Sequence, residues 1–154
     1  MLIASLHPKV RDIFPVLVGF ITGAFAISML FDVMKGPPFI NPSLTWISIP
    51  GFLQIQIGAS VDPLSVFMAT IVSCIGSLIL LYSLGYMSGD KSLTRYWFFM
   101  LLFIGSMIGL VMADNFLSLY IFWEMVGLCS YALIGFWYNR PEARKAGMKA
   151  FMVT

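Results

Sequence analysis

The sequence predicts an all-α polytopic membrane protein with four transmembrane helices, the start of a fifth and a short external β-hairpin between the first two. Of the 154 residues, 60% are hydrophobic and only 10% are charged, and the mean hydropathy is +0.93. A soluble domain is about a quarter charged, and one of this size cannot bury so much apolar surface in a single core. In addition, the apolar residues fall in long runs and the basic residues gather on alternate loops.

Four apolar runs have the length of a membrane-spanning helix, which is about 20 residues for a hydrocarbon core about 30 Å thick. They cover residues 13–34, 63–86, 96–113 and 116–138, and a fifth helix is predicted over 142–154. Asp62 precedes Pro63 at the start of the second run, where an aspartate cap followed by proline is favoured. The sequence therefore predicts one membrane domain over residues 1–154.

Residues 35–60 have a different pattern and are predicted to lie outside the bilayer. This segment is rich in proline, and apolar and polar residues alternate on both sides of Pro50-Gly51. Alternation around a turn dipeptide predicts a β-hairpin. Because an open strand pair cannot leave its edges in lipid, we expect the hairpin at the external surface.

Basic residues predict the orientation of the helices. If consecutive helices alternate across the membrane, one side carries Lys9, Arg11, Lys91, Arg95, Arg140, Arg144 and Lys145, and the other carries only Lys35. Lys149 is left out because it falls within the fifth helix. An excess of Lys and Arg marks the cytoplasmic side. The prediction is a multi-pass protein of the cell (inner) membrane with a cytoplasmic N-terminus.

Glu124 is the first candidate catalytic residue, because it lies in the middle of the apolar run 116–138. On a helical wheel, the residues within about 60° of it are Tyr120, Gly127, Leu128, Tyr131, Gly135 and Tyr138. The opposite face carries Phe122, Met125, Val126, Cys129 and Ala132. This pattern predicts that the Glu124 face packs against protein, while the apolar back faces lipid or packed neighbours.

A carboxylate at this depth is costly unless it is paired or hydrated. Glu124 lies about 12 Å from the helix end at 1.5 Å per residue, and an acidic residue at the centre of a spanning helix costs roughly 2.5–3.5 kcal/mol. Its charge should therefore depend on whether a basic partner or water is near, as proton transfer requires. The alternative is a protonated Glu124 that only hydrogen-bonds a neighbouring helix.

Lys149 is the second proton-relay candidate, about two turns into the fifth predicted helix. Its long side chain can instead reach the membrane surface and need no further role, so both interpretations stay open. Arg140, Glu142, Arg144 and Lys145 are interpreted as a solvated interfacial loop. The sequence contains no nucleotide, iron–sulfur or zinc motif.

Several small or polar residues have a structural interpretation beside any functional one. Gly105 and Gly109 form a G-x-x-x-G pattern, which is typical of close helix packing. The serines of the second helix, Ser65, Ser73 and Ser77, are suited either to a water path or to bridging helices. Asp62 is interpreted as a helix cap, and the two cysteines, Cys74 and Cys129, as packing residues.

The sequence resembles the antiporter-like proton-translocating membrane subunit of respiratory complex I, the subunit L or chain 5 class of NADH–quinone oxidoreductase with its archaeal deazaflavin-dependent relatives. The resemblance is most specific in ADNFLSLYIFWEMVGLCSYALIGFWY (113–138) and KAGMKAFMVT (145–154). It extends to RYWFFMLLFIGSMIGLVMADN (95–115) and to ASVDPLS (59–65), where Pro63 replaces the family's usual glycine.

This resemblance implies roles for both candidate residues. Subunits of this family carry proton channels and no redox cofactor, so none is expected in this chain, and the electron donor and quinone bind other subunits. Glu124 matches the family's key proton-channel carboxylate, which pairs with a lysine two helices later. Lys149 matches the lysine of the family's Met-Lys-Ala-Phe stretch. The expected partners are other membrane-arm subunits and the lipid bilayer, with no nucleic acid.

The resemblance also implies that the sequence is an N-terminal fragment. The family's first helix is missing, and the sequence stops at Thr154, before the Arg-x-Gly-Asp that the family pattern places next. The leading functional prediction is part of a proton-translocating subunit in a redox-driven quinone or methanophenazine-type oxidoreductase complex. The alternative is a subunit of a multi-subunit cation/proton antiporter without redox activity. A third possibility is a membrane scaffold in which Glu124 only holds helices together.

Overall fold

The computed structural model describes residues 8–36, 43–49, 53–90 and 92–153. The elements in that part of the chain are α1 (Pro8–Met34), β1 (Ser43–Ile49), β2 (Leu53–Gly58), α2 (Pro63–Tyr86), α3 (Leu93–Val111), α4 (Phe116–Ile134) and α5 (Pro141–Val153). By length and apolar composition, α1 to α4 can each cross a membrane. The predicted all-α polytopic fold class is confirmed.

The helix bounds differ from the prediction at several ends. α1 includes residues from Pro8 onward rather than from 13, because charged residues extend the helix beyond its apolar run. α3 covers 93–111 rather than 96–113. α4 ends at Ile134, four residues before the predicted end at 138, with Gly135 as its C-cap. The chain turns there so that α5 can begin at Pro141, a favoured first helical residue.

α1 and α2 pack closely through small residues. The Ser77 hydroxyl donates to the Gly19 carbonyl oxygen at 2.7 Å, and the Thr70 hydroxyl donates to the Ala26 carbonyl oxygen at 3.2 Å. A Cβ added at Gly19 would lie 2.7 Å from the Leu80 Cδ1 atom, so glycine permits this approach. Ser77 therefore bridges helices, whereas the Ser73 hydroxyl donates within α2 to the Ala69 carbonyl oxygen and the Ser65 hydroxyl donates to the Ser60 carbonyl oxygen.

Asp62, the predicted cap residue, lies at the start of α2 as expected. Asp62 is the N-cap, and its backbone N–H donates to the Ser65 hydroxyl oxygen at 3.0 Å in a capping box. Hydrogen bonding from Ser65 and from backbone N–H groups lowers the pKa of Asp62 below its ordinary value. The interpretation of Asp62 as a cap is confirmed.

A buried apolar cluster holds α1, α2, α3 and the end of α4 together; it comprises Val16, Leu80, Met87, Leu93, Trp97, Met100, Ile104 and Phe136. At its edge, the Trp97 indole N–H donates to Asp12 Oδ1 at 3.2 Å, and Asp12 pairs with Arg11 at 2.8 Å. These contacts bring the beginnings of α1 and α3 to one end of the bundle. The same end holds the beginning of α5.

β1 and β2 pair antiparallel, with Ile47 opposite Ile55 and Ile49 opposite Leu53, and the register shifts between Thr45 and Ile47. The predicted Pro50-Gly51 turn lies outside the described residues. At the end of β2, the Gly58 N–H donates to Asp114 Oδ1 at 3.2 Å. β2 is therefore tied to the turn between α3 and α4. Its position outside the lipid stays a prediction.

Candidate functional site

Glu124 lies near the middle of α4. Asn115 caps this helix, since its Oδ1 accepts a hydrogen bond from the Ser118 N–H at 2.8 Å. From Phe116 to Ile134 the helix has 19 residues, and Glu124 is eight residues from the first and ten from the last. These separations correspond to about 12 and 15 Å along the axis. The side chain is thus remote from both ends of a helix long enough to span a bilayer.

The Glu124 carboxylate has one described polar neighbour. The hydroxyl of Tyr120, one turn earlier on the same helix face, interacts with it. Both side chains are exposed on the surface of the chain. Within the part of the chain that the structure describes, no ion pair joins Glu124 to a basic residue. The site as it stands offers a carboxyl group and one phenol hydroxyl.

The apolar face of α4 packs against α3, which is one of the two settings predicted for it. Cys129, on the apolar face, is fully buried, which confirms its interpretation as a packing residue. The Phe122 ring lies directly over Gly109 of α3, and a Cβ there would come within 2.5 Å of the ring. Tyr131, on the Glu124 face, contacts Phe151 of α5, whereas Glu124 and Tyr120 are exposed in the described chain, so the packing of the whole face stays a prediction. α3 occupies the opposite face because Gly109 admits the Phe122 ring there.

Gly135 and Tyr138 do not extend the Glu124 face as the helical wheel predicted. α4 ends before both of them, so helical periodicity no longer sets their direction. Gly135 lies against Gly147 of α5. A Cβ added at Gly147 would be 3.2 Å from the Gly135 nitrogen. Tyr138 turns toward α3, with its ring centre 5.1 Å from the Arg95 guanidinium carbon.

Lys149 is exposed on α5 and does not reach Glu124. α5 packs antiparallel to the end of α4, with Gly147 against Gly135 and the ring centres of Phe151 and Tyr131 5.6 Å apart. Lys149 is therefore level with residues near 133 of α4. Glu124 lies about nine residues further along, a separation of about 13 Å along the axis. The two predicted relay residues occupy different levels of the helix pair.

The four residues interpreted as a solvated interfacial loop are all exposed, but only Arg140 precedes α5. Glu142, Arg144 and Lys145 form its first turns, so the loop is wrong for them and the helix predicted over 142–154 is right. Of the two glycines in the G-x-x-x-G pattern of α3, only one lies at a close helix contact in the described chain. Gly109 admits Phe122, whereas a Cβ at Gly105 would meet no atom within 4 Å in the described chain. Close packing is thus confirmed for Gly109 alone.

A polar cluster at the junction of α3 and α4 was missed in the sequence. The Arg95 guanidinium donates to the Phe136 carbonyl oxygen at 2.8 Å and lies 4.9 Å from the Phe136 ring centre. Asp90 accepts from the Trp137 indole N–H at 3.0 Å and from the Ser92 N–H at 2.8 Å. These two bonds lower the pKa of Asp90, with Trp137 as the main cause. The partners are 41 and 47 residues apart, and the only sequence signal was an excess of aromatic and basic residues.

Comparisons with known proteins agree with this architecture. Residues 46–97 match the family described as the N-terminus of chain 5 of NADH-ubiquinone oxidoreductase (complex I). Residues 113–154 match the transmembrane family of NADH:quinone oxidoreductase and Mrp antiporter. The second match contains both Glu124 and Lys149.

The chain is also similar to curated proteins named subunit 5 of NAD(P)H-quinone oxidoreductase. Subunit 5 of the NAD(P)H-quinone oxidoreductase from the Paulinella chromatophora chromatophore is 41% identical over 133 residues, which is 86% of this chain and 20% of that protein. The chloroplastic subunit 5 of Mesostigma viride is 44% identical over 124 residues, 80% of this chain and 19% of that protein. The chain spans about a fifth of the length of the curated relatives it matches.

Two solved complexes contain the same arrangement of helices. A chain of an archaeal respiratory complex, the membrane-bound sulfane sulfur reductase, superposes with a TM-score of 0.84 over 98% of this chain and 30% of its own length, at 16% identity. A chain of the Mrp complex from Dietzia sp. DQ12-45-1b superposes with a TM-score of 0.72 over 98% of this chain and 16% of its own length, at 28% identity. At 16% identity the first likeness shows the fold alone.

Apolar helices long enough to span a bilayer, with a glutamate in the middle of one of them, define the class of polytopic membrane proteins. Together, the two family matches cover most of that architecture. The chain belongs to the family of complex I chain 5 and Mrp antiporter membrane subunits.

Proposed function

We propose that this chain is part of a proton-translocating membrane-arm subunit in a redox-driven complex, with Glu124 in the proton path. The observation that carries the proposal is a glutamate in the middle of a spanning helix inside a segment that matches the family. Its relatives named NAD(P)H-quinone oxidoreductase subunit 5 favour a quinone as the electron acceptor. A methanophenazine-type acceptor would serve the same role, and the electron donor and acceptor would bind other subunits.

In this proposal the exposed face of α4 receives further membrane segments of the complex. A carboxylate facing lipid is costly, so a face that presents Glu124 and Tyr120 needs polar partners or water. Those partners would complete the relay and allow Glu124 to gain and release a proton. No cofactor is needed in this chain, because the reaction moves a proton between oxygen and nitrogen atoms.

Lys149 is proposed as a separate relay position. Its axial separation of about 13 Å from Glu124 is too long for direct proton transfer between the two side chains. Transfer between them would require water or side chains from other segments. Lys149 would therefore act on a different step of the path from Glu124.

The second candidate function is a cation/proton antiporter subunit without redox activity. The match of residues 113–154 to a family that includes Mrp antiporters supports it, as does the 28% identity to a chain of the Mrp complex. Glu124 would still bind and release protons, but cation flux in the opposite direction would drive the cycle. We predict the redox-driven complex because the curated relatives cited above carry quinone oxidoreductase names.

The test is Glu124→Gln in the complete subunit within its assembled complex, in proteoliposomes. Glutamine keeps the shape and hydrogen bonding but cannot ionise. We expect proton translocation to be lost, with coupled quinone reduction slowed. Glu142→Gln is the matched control, since it removes the same charge from the exposed first turn of α5. Full quinone reduction and full proton translocation in Glu124→Gln would refute the role of Glu124. Sodium-dependent translocation without electron transfer would favour the antiporter.

A further inference from the structure

A cavity of about 240 Å³ lies where α3, α4 and α5 meet, away from Glu124. Its two charged lining residues are Arg95 from α3 and Arg144 from α5. The rest of the lining is aromatic or small, with rings supplied by Phe99, Tyr131 and Tyr138, and it includes no acidic residue. The cavity therefore combines two positive charges with an apolar wall.

Neither arginine forms a salt bridge with a carboxylate in the described part of the chain. Asp90 attracts the charge of Arg95 without an ion pair between them, and its oxygens accept hydrogen bonds from Trp137 and Ser92. Arg95 donates one N–H to the Phe136 carbonyl oxygen and keeps other donors. Two guanidinium-bearing side chains that line one small space concentrate positive charge there, which a bound anion would offset.

The chemistry of the lining favours a phosphate group. Guanidinium groups bind phosphate oxygens through pairs of parallel N–H donors, which an ammonium group cannot provide. The cavity includes Gly135 and Tyr138, which follow the end of α4; Tyr138 is 57% exposed and its neighbour Trp137 is 42% exposed. Exposed Trp and Tyr side chains at helix ends are typical of the membrane–water interface. Basic cavities between spanning helices at that level bind anionic lipid headgroups.

We propose that this cavity binds the phosphate of an anionic phospholipid, held between Arg95 and Arg144. The acyl chains would run along Phe99 and the exposed Tyr131 toward the bilayer centre. Arg140 and Lys145, at the same end of the bundle, add attraction for an anionic surface without lining the cavity. The bound lipid would fasten α5 to α3.

The experiment compares Arg144→Gln with Lys145→Gln in the assembled complex. Each variant loses one positive charge at neighbouring, exposed positions of α5, but only Arg144 lines the cavity. The complexes are washed in lipid-free detergent at raised salt, which screens diffuse attraction, and are titrated with phosphatidylglycerol. Retained lipid is measured by mass spectrometry. We expect about fivefold weaker retention in Arg144→Gln and near wild-type retention in Lys145→Gln.

Further variants and ligands separate the other outcomes. If Arg144→Gln does not assemble, Arg144→Lys and Lys145→Arg replace the pair, and only the first should weaken retention, because it loses the guanidinium donors. Equal retention in both variants would overturn the proposal. So would a wild-type complex that retains no phosphatidylglycerol, since another protein segment would then fill the cavity. Inorganic phosphate that displaces the lipid at low concentration would indicate a site for free phosphate instead.

Discussion

The Tyr120 hydroxyl and the Glu124 carboxylate lie one helical turn apart on the same face of α4 and interact with each other. This interaction is local to the helix, and both side chains are exposed on the described chain. Two adjacent polar groups exposed on a spanning helix need polar partners from other segments or from water. In the proposed proton path, Tyr120 stabilises the ionised form of Glu124.

Tyr120→Phe is expected to slow proton translocation about three- to tenfold, because the carboxylate loses a neighbouring hydroxyl donor that favours its charged form. Proteoliposomes containing the assembled complex, with a pH-sensitive dye inside, provide the measurement. Tyr82→Phe is the control, since Tyr82 is 69% exposed on α2 and only stacks on Tyr86. Equal rates in the two variants would mean that Tyr120 does not assist Glu124.

The two glycines of α3 should respond differently to the same substitution. In Gly109→Ala, the new methyl group meets the Phe122 ring at about 2.5 Å, and overpacking of this kind costs about 1–3 kcal/mol. In Gly105→Ala the methyl group meets no described atom within 4 Å, and helix propensity favours alanine by about 0.5–1 kcal/mol. Thermal unfolding of the assembled complex in detergent compares them. A similar loss of stability in both would contradict the assigned packing of α3 on α4.

Trp137→Phe should weaken the α2–α3 turn, because it removes the N–H that Asp90 accepts at 3.0 Å. The folded state holds the pKa of Asp90 below its ordinary value, so this stabilisation is present above the ordinary aspartate pKa of about 3.9 and is lost as pH falls through the lowered value. We therefore expect a small decrease in thermal stability that is constant near neutral pH and shrinks below about pH 4.

The control for this effect is Trp123→Phe, which removes an exposed tryptophan from α4 that forms no hydrogen bond in the described chain. It should show no such pH dependence. If the stability loss of Trp137→Phe is the same at pH 7 and at about pH 3.5, the indole contributes by packing rather than by its bond to Asp90.

The helices could be predicted from the sequence because a bilayer fixes the length of an apolar run. Both ends of α2 lie where they were predicted. Its start was predictable because an aspartate followed by proline favours the beginning of a helix. The end of α4 could not be predicted, because Phe136 and Trp137 continue the apolar run beyond Ile134. The turn there depends on the contact of Gly135 with Gly147, which arises only when α5 folds back.

The sequence predicted which residue forms the candidate site, but not which parts of the chain surround it. A glutamate in the middle of an apolar helix is a candidate functional residue because its charge is costly there. Helical periodicity predicted that Tyr120 lies on the same face. Periodicity could not decide which face of α4 would meet α3, because Phe122 and Gly109 select that face by shape. Nor could it find the contact between Arg95 and Phe136, which joins distant segments through one carbonyl oxygen.

The most direct test of the central claim is whether Glu124 changes its protonation during turnover. Infrared difference spectra of the assembled complex, recorded before and after addition of the electron donor, detect the carboxylic acid C=O stretch of single groups. We predict a band that changes with turnover and is absent from the Glu124→Gln complex. A wild-type spectrum whose turnover-dependent carboxylic bands all persist unchanged in Glu124→Gln would contradict the claim that Glu124 carries the proton.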